Sequence, residues 1–333
     1  MKISILGAGS IGGYIGSRFI EKHDVTFIGR QRFINDTNDH GIRYKAPDNQ
    51  DQQFTADQFI ATESTDSLKD ADIIFVCVKS KDTESAAQLI KENLDDSTEN
   101  NSPIIISLQN GIYNAETIAN MTGKTVIQGM VPFNVAWLDE MTFHQTTNGN
   151  LVFEDHADTT NTLKKIFEEI QFPAIFENDI RAIMWSKLVI NMNNSLNALA
   201  GRPLKECLSN RNYRKALAAM MNECLAILKK AGIPPQPING KPVTIIPKVL
   251  ALPNFLFKII AGAMLKIDPE ARSSMFDDLE LNREPEVDFI NGEIIRLAKQ
   301  YNMPAPLNER AIKLIEAAYQ NKQGSPNIPF NQL

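Results

Sequence analysis

The sequence predicts two domains, an N-terminal α/β domain built on a mostly parallel sheet and an all-α C-terminal domain. The chain has 333 residues, which is more than one hydrophobic core usually supports. In the first half, short apolar runs alternate with amphipathic stretches, as expected where strands and helices alternate along the chain. After about residue 177 long helical patterns replace this alternation. We therefore expect the domains to cover residues 1–177 and 178–333.

The elements of the first half follow from local hydrophobic patterns. The first strand is predicted at Lys2–Leu6, and a helix over Gly9–Glu21 follows it. The run Ile73–Val78 is apolar on both faces, which is typical of a parallel strand covered by helices on both sides. Further strands are predicted at Val25–Ile28, Ile104–Leu108, Val126–Val131 and Leu151–Phe153, and further helices at Lys81–Leu94 and Ala115–Met121.

The second half is predicted to contain helices only. Proline-rich segments at 232–242 and 303–306 separate some of them, and the tail over 320–333 is expected to be frayed. The predicted helices cover 180–199, 209–231, 254–265, 271–300 and 307–320.

Composition narrows the class of protein. The net charge of −6 argues against a general affinity for nucleic acid or an anionic membrane. The longest apolar stretch, Phe255–Leu265, is interrupted by Lys258 and is far shorter than the ~20 residues that span a bilayer. Three widely spaced cysteines without a metal-ligand spacing predict neither disulfides nor a zinc site, and they fit a reducing cytoplasm.

A glycine-rich turn lies between the first strand and the first helix. The segment Gly7-Ala8-Gly9-Ser10-Ile11-Gly12 is a GxGxxG motif in the context of a Rossmann-like dinucleotide-binding domain. There the first glycine permits the turn, the second lets the backbone approach a pyrophosphate, and the third lets the helix pack on the strand. The free N–H groups of Ser10 and Ile11 would then face the phosphates. The motif predicts a bound dinucleotide.

The residues after the second strand indicate which dinucleotide. An NAD site usually has a carboxylate there for the ribose hydroxyls, whereas this chain has Gly29-Arg30-Gln31-Arg32. A guanidinium group suits a 2′-phosphate, so we expect NADP(H) with Arg30 as a contact. The alternative is that both arginines are ordinary solvated loop residues.

Polar residues follow two buried strands where ligands bind in such sheets. Lys79 comes directly after the Ile73–Val78 run, and Asn110 follows Ile104–Leu108. Both could equally be loop residues, because Asn110-Gly111 is a common turn sequence.

In the helical half, Lys187, Asn191 and Asn194 lie within about 60° of one another on one helical face. Apolar residues separate them, so this face is a candidate catalytic surface, with an exposed polar stripe or a ladder of hydrogen bonds between the domains as the alternatives. A partly buried lysine, or one beside a cationic nicotinamide, would have a pKa lowered toward the range of a general acid. The later acidic residues, from Asp277 to Asp288, are too numerous for spacing to choose among them.

These motifs together resemble the ketopantoate reductase (2-dehydropantoate 2-reductase) family. The resemblance runs through GAGSIGG, VKSKDT, SLQNGI, WSKLVIN and SSMFDDLELNREPEVDFING, in that order. It implies NADPH-dependent reduction of 2-dehydropantoate to pantoate, in pantothenate and coenzyme A biosynthesis. The partner would be a small 2-keto acid, and the resemblance leaves a homodimer open.

The resemblance also implies roles for individual residues. Lys187 would be the general acid, and Glu286 would engage that lysine and the substrate hydroxyl. Asp278 would either have a structural role or support the residues that contact the substrate. Substrate contacts fall on Asn110, Asn191, Asn194 and Ser274, and cofactor contacts on Gly7, Gly9, Ser10, Ile11, Gly12, Arg30, Lys79 and Asn110.

Two departures leave alternatives open. The family usually has its second helix asparagine at the position of Ser195, whereas this chain has Asn194 one residue earlier. A proline-rich and apolar insertion over 233–268 could change the substrate mouth or an oligomer surface. The alternatives are therefore a reductase of another 2-keto acid, or a regulator that binds NADP(H) without catalysis.

Overall fold

A computed structural model of the chain describes residues 1–47, 50–94, 102–238, 240–262 and 271–333. Contacts divide the chain into two compact units, Met1–Ile180 and Arg181–Leu333, and the division lies three residues after the predicted boundary. The first unit is α/β with a mostly parallel sheet and the second is helical, so the predicted fold class is confirmed.

The first unit is built on an eight-stranded sheet with strand order β12-β11-β8-β7-β6-β1-β2-β5. Neighbouring strands of this sheet run parallel, except that β8 and β11 pair antiparallel. The sequence revealed neither edge strand, β5 nor β12. The strands are β1 (Lys2–Leu6), β2 (Asp24–Ile28), β5 (Ile60–Thr62), β6 (Ile73–Val76), β7 (Ile104–Ser107), β8 (Val126–Met130), β11 (Leu151–Glu154) and β12 (Ala174–Glu177).

A second sheet in this unit was not predicted. Its strand order is β4-β3-β10-β9, and its strands have only three or four residues with polar and apolar residues mixed. Such short segments carry too few repeats to show a period of two. The strands are β3 (Ile42–Lys45), β4 (Gln52–Phe54), β9 (Val135–Leu138) and β10 (Thr142–Gln145).

The side chains of strand β6 are buried on both faces of the large sheet. Ile73 and Phe75 belong to one hydrophobic cluster, and Ile74 and Val76 belong to the other. Because successive side chains point to opposite faces, all four are buried. The helices of this unit are α1 (Ser10–Ser17), α2 (Gln31–His40), α3 (Thr83–Asn93), α4 (Asn114–Thr122) and α5 (Thr160–Glu169).

Helix α1 is shorter than predicted, and α2 and α5 were not predicted. The N–H of Phe19 donates to the carbonyl of Gly16 (3.0 Å), three residues earlier, which is the spacing of a 3₁₀ turn. The α-helix therefore ends at Ser17. Helix α2 has the sequence QRFINDTNDH and buries only Phe33 and Thr37, which is too little apolar surface for a recognisable pattern.

The second unit contains eight described helices, and two of the predicted helices are interrupted. The 209–231 prediction is divided at Asn210, whose side chain accepts from Asn212 N (2.9 Å) and begins a new helix. The 271–300 prediction is divided between Leu281 and Glu286, where Asn282 has a φ of +50° and Pro285 lacks a backbone N–H. Of the predicted helix over 254–265, residues 263–265 lie outside the described residues. The helices are α6 (Ile180–Ala200), α7 (Leu204–Ser209), α8 (Arg211–Lys230), α9 (Ile246–Leu250), α10 (Asn254–Ile260), α11 (Ser274–Glu280), α12 (Val287–Gln300) and α13 (Pro306–Asn321).

The C-terminal tail is not frayed, contrary to the prediction. Ser325 Oγ donates to the carbonyl of Ala198 (2.6 Å), and Ile328 N donates to that of Leu199 (2.8 Å). The last carbonyls of a helix have no partner inside the helix, so the tail supplies the donors that α6 lacks. Within the described parts of the chain, no helix combines the length and apolar character needed to cross a bilayer.

Candidate active site

The turn after β1 requires glycine at two positions. Gly7 has a φ of +104°, and a Cβ there would lie 2.6 Å from the backbone nitrogen of Val78. A Cβ on Gly12 would collide with the carbonyl oxygen of Gly7. The turn is fixed by a bond from Gly7 N to the carbonyl of Ile28 (3.0 Å), which holds it between β1 and β2. Strand, turn and helix are therefore packed too closely for any other residue at these two positions.

Gly9, in contrast, has open space beside it. It is exposed, and a Cβ on it would meet no atom within 4 Å. The space beside it adjoins the first turn of α1, where the N–H groups of Ser10 and Ile11 have no partner within the helix. A side chain at Gly9 would enter the space in which a Rossmann-like fold holds a pyrophosphate. The turn fits a dinucleotide.

The edge beyond β2 carries charges of both signs. Arg30 is exposed and is the N-cap residue of α2, while Arg32 is ion-paired with Asp36 (3.4 Å from Nε to Oδ2). A carboxylate is also present, because the backbone N–H of Gln31 donates to Glu63 Oε1 (3.0 Å). The sequence did not point to Glu63, because this residue follows β5 and no local hydrophobic pattern indicated that strand.

Lys79 and Asn110 lie at the carboxyl ends of the adjacent strands β6 and β7. Ser80, next to Lys79, donates its hydroxyl to the carbonyl of Asn110 (2.7 Å). The amide of Asn114, at the start of α4, donates to Ser80 Oγ (3.2 Å) and to the Asn110 carbonyl. These bonds join the two loops, so the loops carrying Lys79 and Asn110 are held together at one edge of the sheet.

A buried hydrogen-bond network continues beneath these loops. Thr83 Oγ1 donates to Asn114 Oδ1 (2.9 Å), Gln109 Nε2 donates to Thr83 Oγ1 (2.8 Å), and Ser107 Oγ donates to Gln109 Oε1 (3.0 Å). Buried polar groups that satisfy one another in this way favour a single arrangement. The sequence reading did not find the network, because its members come from three elements separated along the chain.

In the second unit, α6 carries the predicted polar face. Lys187, Asn191 and Asn194 are all half-buried, whereas Leu188 and Met192 beside them are buried. The three polar side chains therefore share one partly covered face of the helix, and they do not form an ordinary solvated stripe.

Two opposing influences set the pKa of Lys187. Burial lowers it, because desolvation disfavours the ammonium form, and burial is the larger influence, so the net pKa falls from the ordinary value of 10.5 to about 8. The carboxylate of Glu286 acts in the opposite direction and raises the pKa. The structure thus brings the two predicted catalytic residues into electrostatic contact, although they are 99 positions apart in the sequence.

The serines before α11 have different surroundings. Ser273 is buried and is the N-cap residue: its Oγ donates to the carbonyl of Asn194 (3.0 Å) and accepts from Phe276 N (3.2 Å). Its backbone N–H donates to Asn197 Oδ1 (2.8 Å). Ser274, the predicted substrate contact, is exposed. Ser273 therefore fastens the start of α11 to α6 and leaves the Ser274 hydroxyl at the surface.

The departure at Ser195 has a structural counterpart. Ser195 is fully buried, and its hydroxyl donates to the carbonyl of Met192 (3.3 Å) one turn earlier. The half-buried Asn194 lies on the face of Lys187 instead.

The three thiols offer no nucleophile. Burial raises the pKa of Cys77 and Cys224 to about 12 and that of Cys207 to about 11, so all three remain protonated near neutral pH. No group of three or more His, Cys, Asp or Glu side chains within the described ranges is arranged to hold a metal ion.

Comparison with known families gives matches along both units. The model for ketopantoate reductase PanE/ApbA matches residues 3–158, and the model for the C-terminal part of the same family matches residues 179–320. A 2-dehydropantoate 2-reductase from Pyrococcus horikoshii is 27% identical over 328 residues, covering 95% of this chain and 97% of that protein.

Solved structures share the fold over nearly the whole length. A ketopantoate reductase from Ralstonia eutropha superposes with a TM-score of 0.80 at 26% identity, covering 97% of this chain and all of the other. A D-mandelate dehydrogenase in complex with NADH and anilino(oxo)acetate has a TM-score of 0.77 at 19% identity, covering 97% and 99% of the two chains.

Proposed function

The chain belongs to the ketopantoate reductase family of nicotinamide-dependent oxidoreductases, and from that premise we propose that it reduces 2-dehydropantoate to pantoate with NADPH. The product carries a hydroxyl where the substrate has a carbonyl, so the reaction must deliver a hydride to carbon and a proton to oxygen. The nicotinamide, when bound, supplies the hydride. The chain must supply the proton and hold the substrate.

The observation that carries the proposal is the state of Lys187. Its pKa of about 8 leaves most of the side chain protonated at neutral pH, yet makes the ammonium a stronger acid than a solvated lysine. As the carbonyl oxygen gains negative charge, Lys187 Nζ donates a proton to it and becomes the neutral amine. Solvent then returns a proton to the amine.

Glu286 assists by its effect on Lys187. Its carboxylate stabilises the ammonium form and so keeps the acid protonated before the reaction, although burial favours the neutral amine. We assign Glu286 a second contact, to the substrate hydroxyl, on the resemblance to the family alone.

The remaining residues are assigned by the position of each on its own element. Asn191 and Asn194 share the Lys187 face, and their amides suit the substrate carboxylate and hydroxyl. Ser274 and Asn110 are assigned as further substrate contacts. The cofactor would be held by the turn residues Gly7, Gly9, Ser10, Ile11 and Gly12, by Arg30 at the adenosine end, and by Lys79 and Asn110 beyond β6 and β7.

The preference for NADPH is proposed from Arg30. It is exposed at the end of β2, and no side chain of the described residues forms an ion pair with it, so its guanidinium group is available to a 2′-phosphate. We also propose the pathway role in pantothenate and coenzyme A biosynthesis and a cytoplasmic location. A homodimer stays a prediction.

A substrate panel tests the proposal. Purified protein is assayed by NADPH absorbance with 2-dehydropantoate, 2-oxoisovalerate, 2-oxobutyrate and phenylglyoxylate. The proposal predicts the highest kcat/KM for 2-dehydropantoate. A higher value for another keto acid would favour the alternative substrate class. NADPH binding without turnover of any keto acid would favour a non-catalytic regulator.

A further inference from the structure

The edge of the cofactor site combines a cation from one strand with an anion from the next. Strands β2 and β5 are parallel, and Ile28 is in register with Thr62. The pairing extends past the strand ends, because Gly29 N donates to the carbonyl of Thr62 (3.0 Å). Arg30 and Glu63 each come one residue after this bonded pair. The register therefore brings the two residues to the same edge.

The Glu63 carboxylate is held in place by the backbone. Arg30 is the N-cap residue of α2, and it has no side-chain oxygen to accept from the first N–H groups of that helix. Glu63 supplies the missing acceptor, since its Oε1 accepts from Gln31 N (3.0 Å). A negative charge is also favoured at a helix N-terminus. The carboxylate is thus fixed one residue away from Arg30, although it is exposed to solvent.

This arrangement matters for cofactor choice. In dinucleotide-binding folds the group after β2 either accepts from the ribose hydroxyls or binds the 2′-phosphate. Arg30 alone suits the phosphate, but Glu63 occupies a backbone N–H that a phosphate could use and adds a charge of the same sign as the phosphate. Arg32 does not offset this charge, because it is paired with Asp36.

We propose that Glu63 is a specificity-determining residue of the cofactor site, which weakens binding of the 2′-phosphate and so narrows the preference for NADPH over NADH. This inference rests on the proposed function, because it concerns the cofactor of that reaction. Arg30 still favours NADPH, and Glu63 reduces the difference in affinity between NADPH and NADH.

The test is direct binding, measured by isothermal titration calorimetry on the whole protein. The ligands are NADPH and NADH, together with the fragments 2′,5′-ADP and 5′-ADP. Glu63→Gln removes the charge but keeps an oxygen that can accept from Gln31 N. Loss of one like charge near a phosphate is expected to lower Kd for NADPH and 2′,5′-ADP about tenfold. Kd for NADH and 5′-ADP should stay within about twofold.

The matched control is Asp39→Asn, which makes the same charge change at the other end of α2, about 12 Å along the helix. That distance exceeds the ~8 Å screening length at physiological salt. The ratio of Kd for NADPH to Kd for NADH should therefore not change in Asp39→Asn. Glu63→Ala is a second variant for the same binding measurement. It removes both charge and acceptor, so it should shift the ratio as Glu63→Gln does while lowering Tm.

The binding and turnover results test the role of Glu63 and the proposed reductase function separately. An unchanged Kd ratio in Glu63→Gln, or an equal shift in Asp39→Asn, would overturn the role of Glu63 while leaving the reductase activity intact. Failure of 2-dehydropantoate turnover with both cofactors would overturn the proposed substrate, and the binding ratio would still decide the role of Glu63. Absence of binding by all four ligands would overturn both.

Discussion

The carboxylate of Glu286 raises the pKa of Lys187, whereas burial lowers it more strongly, and the two together leave that pKa at about 8. Lys187 is on α6 and Glu286 is the N-cap residue of α12, so the pair depends on the packing of two distant helices. The balance is what a general acid needs at neutral pH. The group is charged before the reaction and readily gives up its proton during it.

The first prediction concerns the pH dependence of reduction. A lysine acid must be protonated, so kcat/KM for 2-dehydropantoate should be flat below the pKa of Lys187 and fall about tenfold per pH unit above it. With a pKa of about 8, the fall should begin near pH 8 and not near 10.5. Initial rates between pH 6 and 10 measure this. A profile that stays flat to pH 10 would show that Lys187 does not supply the proton.

The second prediction follows from the direction of the Glu286 effect. Glu286→Gln removes the charge that raises the pKa of Lys187, so the alkaline fall of kcat/KM should move to lower pH. The control is Glu316→Gln, an exposed carboxylate on α13, which should leave the profile where it is. If the Glu286→Gln profile were to move to higher pH, the assigned interaction would be wrong.

The third prediction concerns Arg30. Arg30→Ala should raise KM for NADPH about tenfold and change KM for NADH little, because only NADPH carries the 2′-phosphate. Arg32→Ala provides the comparison within the same turn. Its guanidinium group is already paired with Asp36, so its effect should be smaller. Equal changes in KM for the two cofactors would mean that Arg30 does not bind the 2′-phosphate.

The fourth prediction concerns stability and Arg214, which is fully buried on α8 and, among the described residues, donates its hydrogen bonds to backbone carbonyls and one side-chain amide oxygen. Its Nε donates to the carbonyl of Leu250 (3.0 Å), Nη1 to that of Leu208 (2.9 Å), and Nη2 to Leu252 O (3.0 Å) and Asn254 Oδ1 (2.9 Å). Arg214 thus ties α7 and the described part of the 233–268 insertion to α8.

A lysine at position 214 cannot reach all these acceptors, because its three donors share one nitrogen. Arg214→Lys should therefore lower the free energy of unfolding by about 2 kcal/mol. Urea titration followed by circular dichroism measures it, with the exposed Arg211→Lys as the control. Equal stability of the two variants would show that these hydrogen bonds contribute little.

Features determined by neighbouring residues could be predicted from the sequence. The glycine turn was recognised because Gly7, Gly9 and Gly12 stand in one short segment between a strand and a helix. Strand β6 was recognised because four successive apolar residues are buried on both faces of the sheet. The face of Lys187 followed from helical periodicity alone.

Features that depend on distant residues could not be predicted in this way. Glu63 reaches the edge beyond β2 through the pairing of β2 with a three-residue strand that has no visible hydrophobic pattern. The second sheet joins four short segments spread over about 100 residues, and the tail is ordered by the end of α6. Pro285 and Asn282, which has a positive φ, lie where the helix predicted over 271–300 is interrupted. The hydrophobic periodicity continues on either side, so it predicted one unbroken helix.

The measurement that tests the account most directly is the kcat/KM for 2-dehydropantoate of Lys187→Ala against the unaltered protein. The account predicts a loss of about 10²–10⁴-fold with an unchanged circular dichroism spectrum, and partial recovery when methylamine is added as an external acid. The control Lys215→Ala, an exposed lysine on α8, should keep full activity. A folded Lys187→Ala variant with full activity would contradict the central claim that this ammonium group donates the proton.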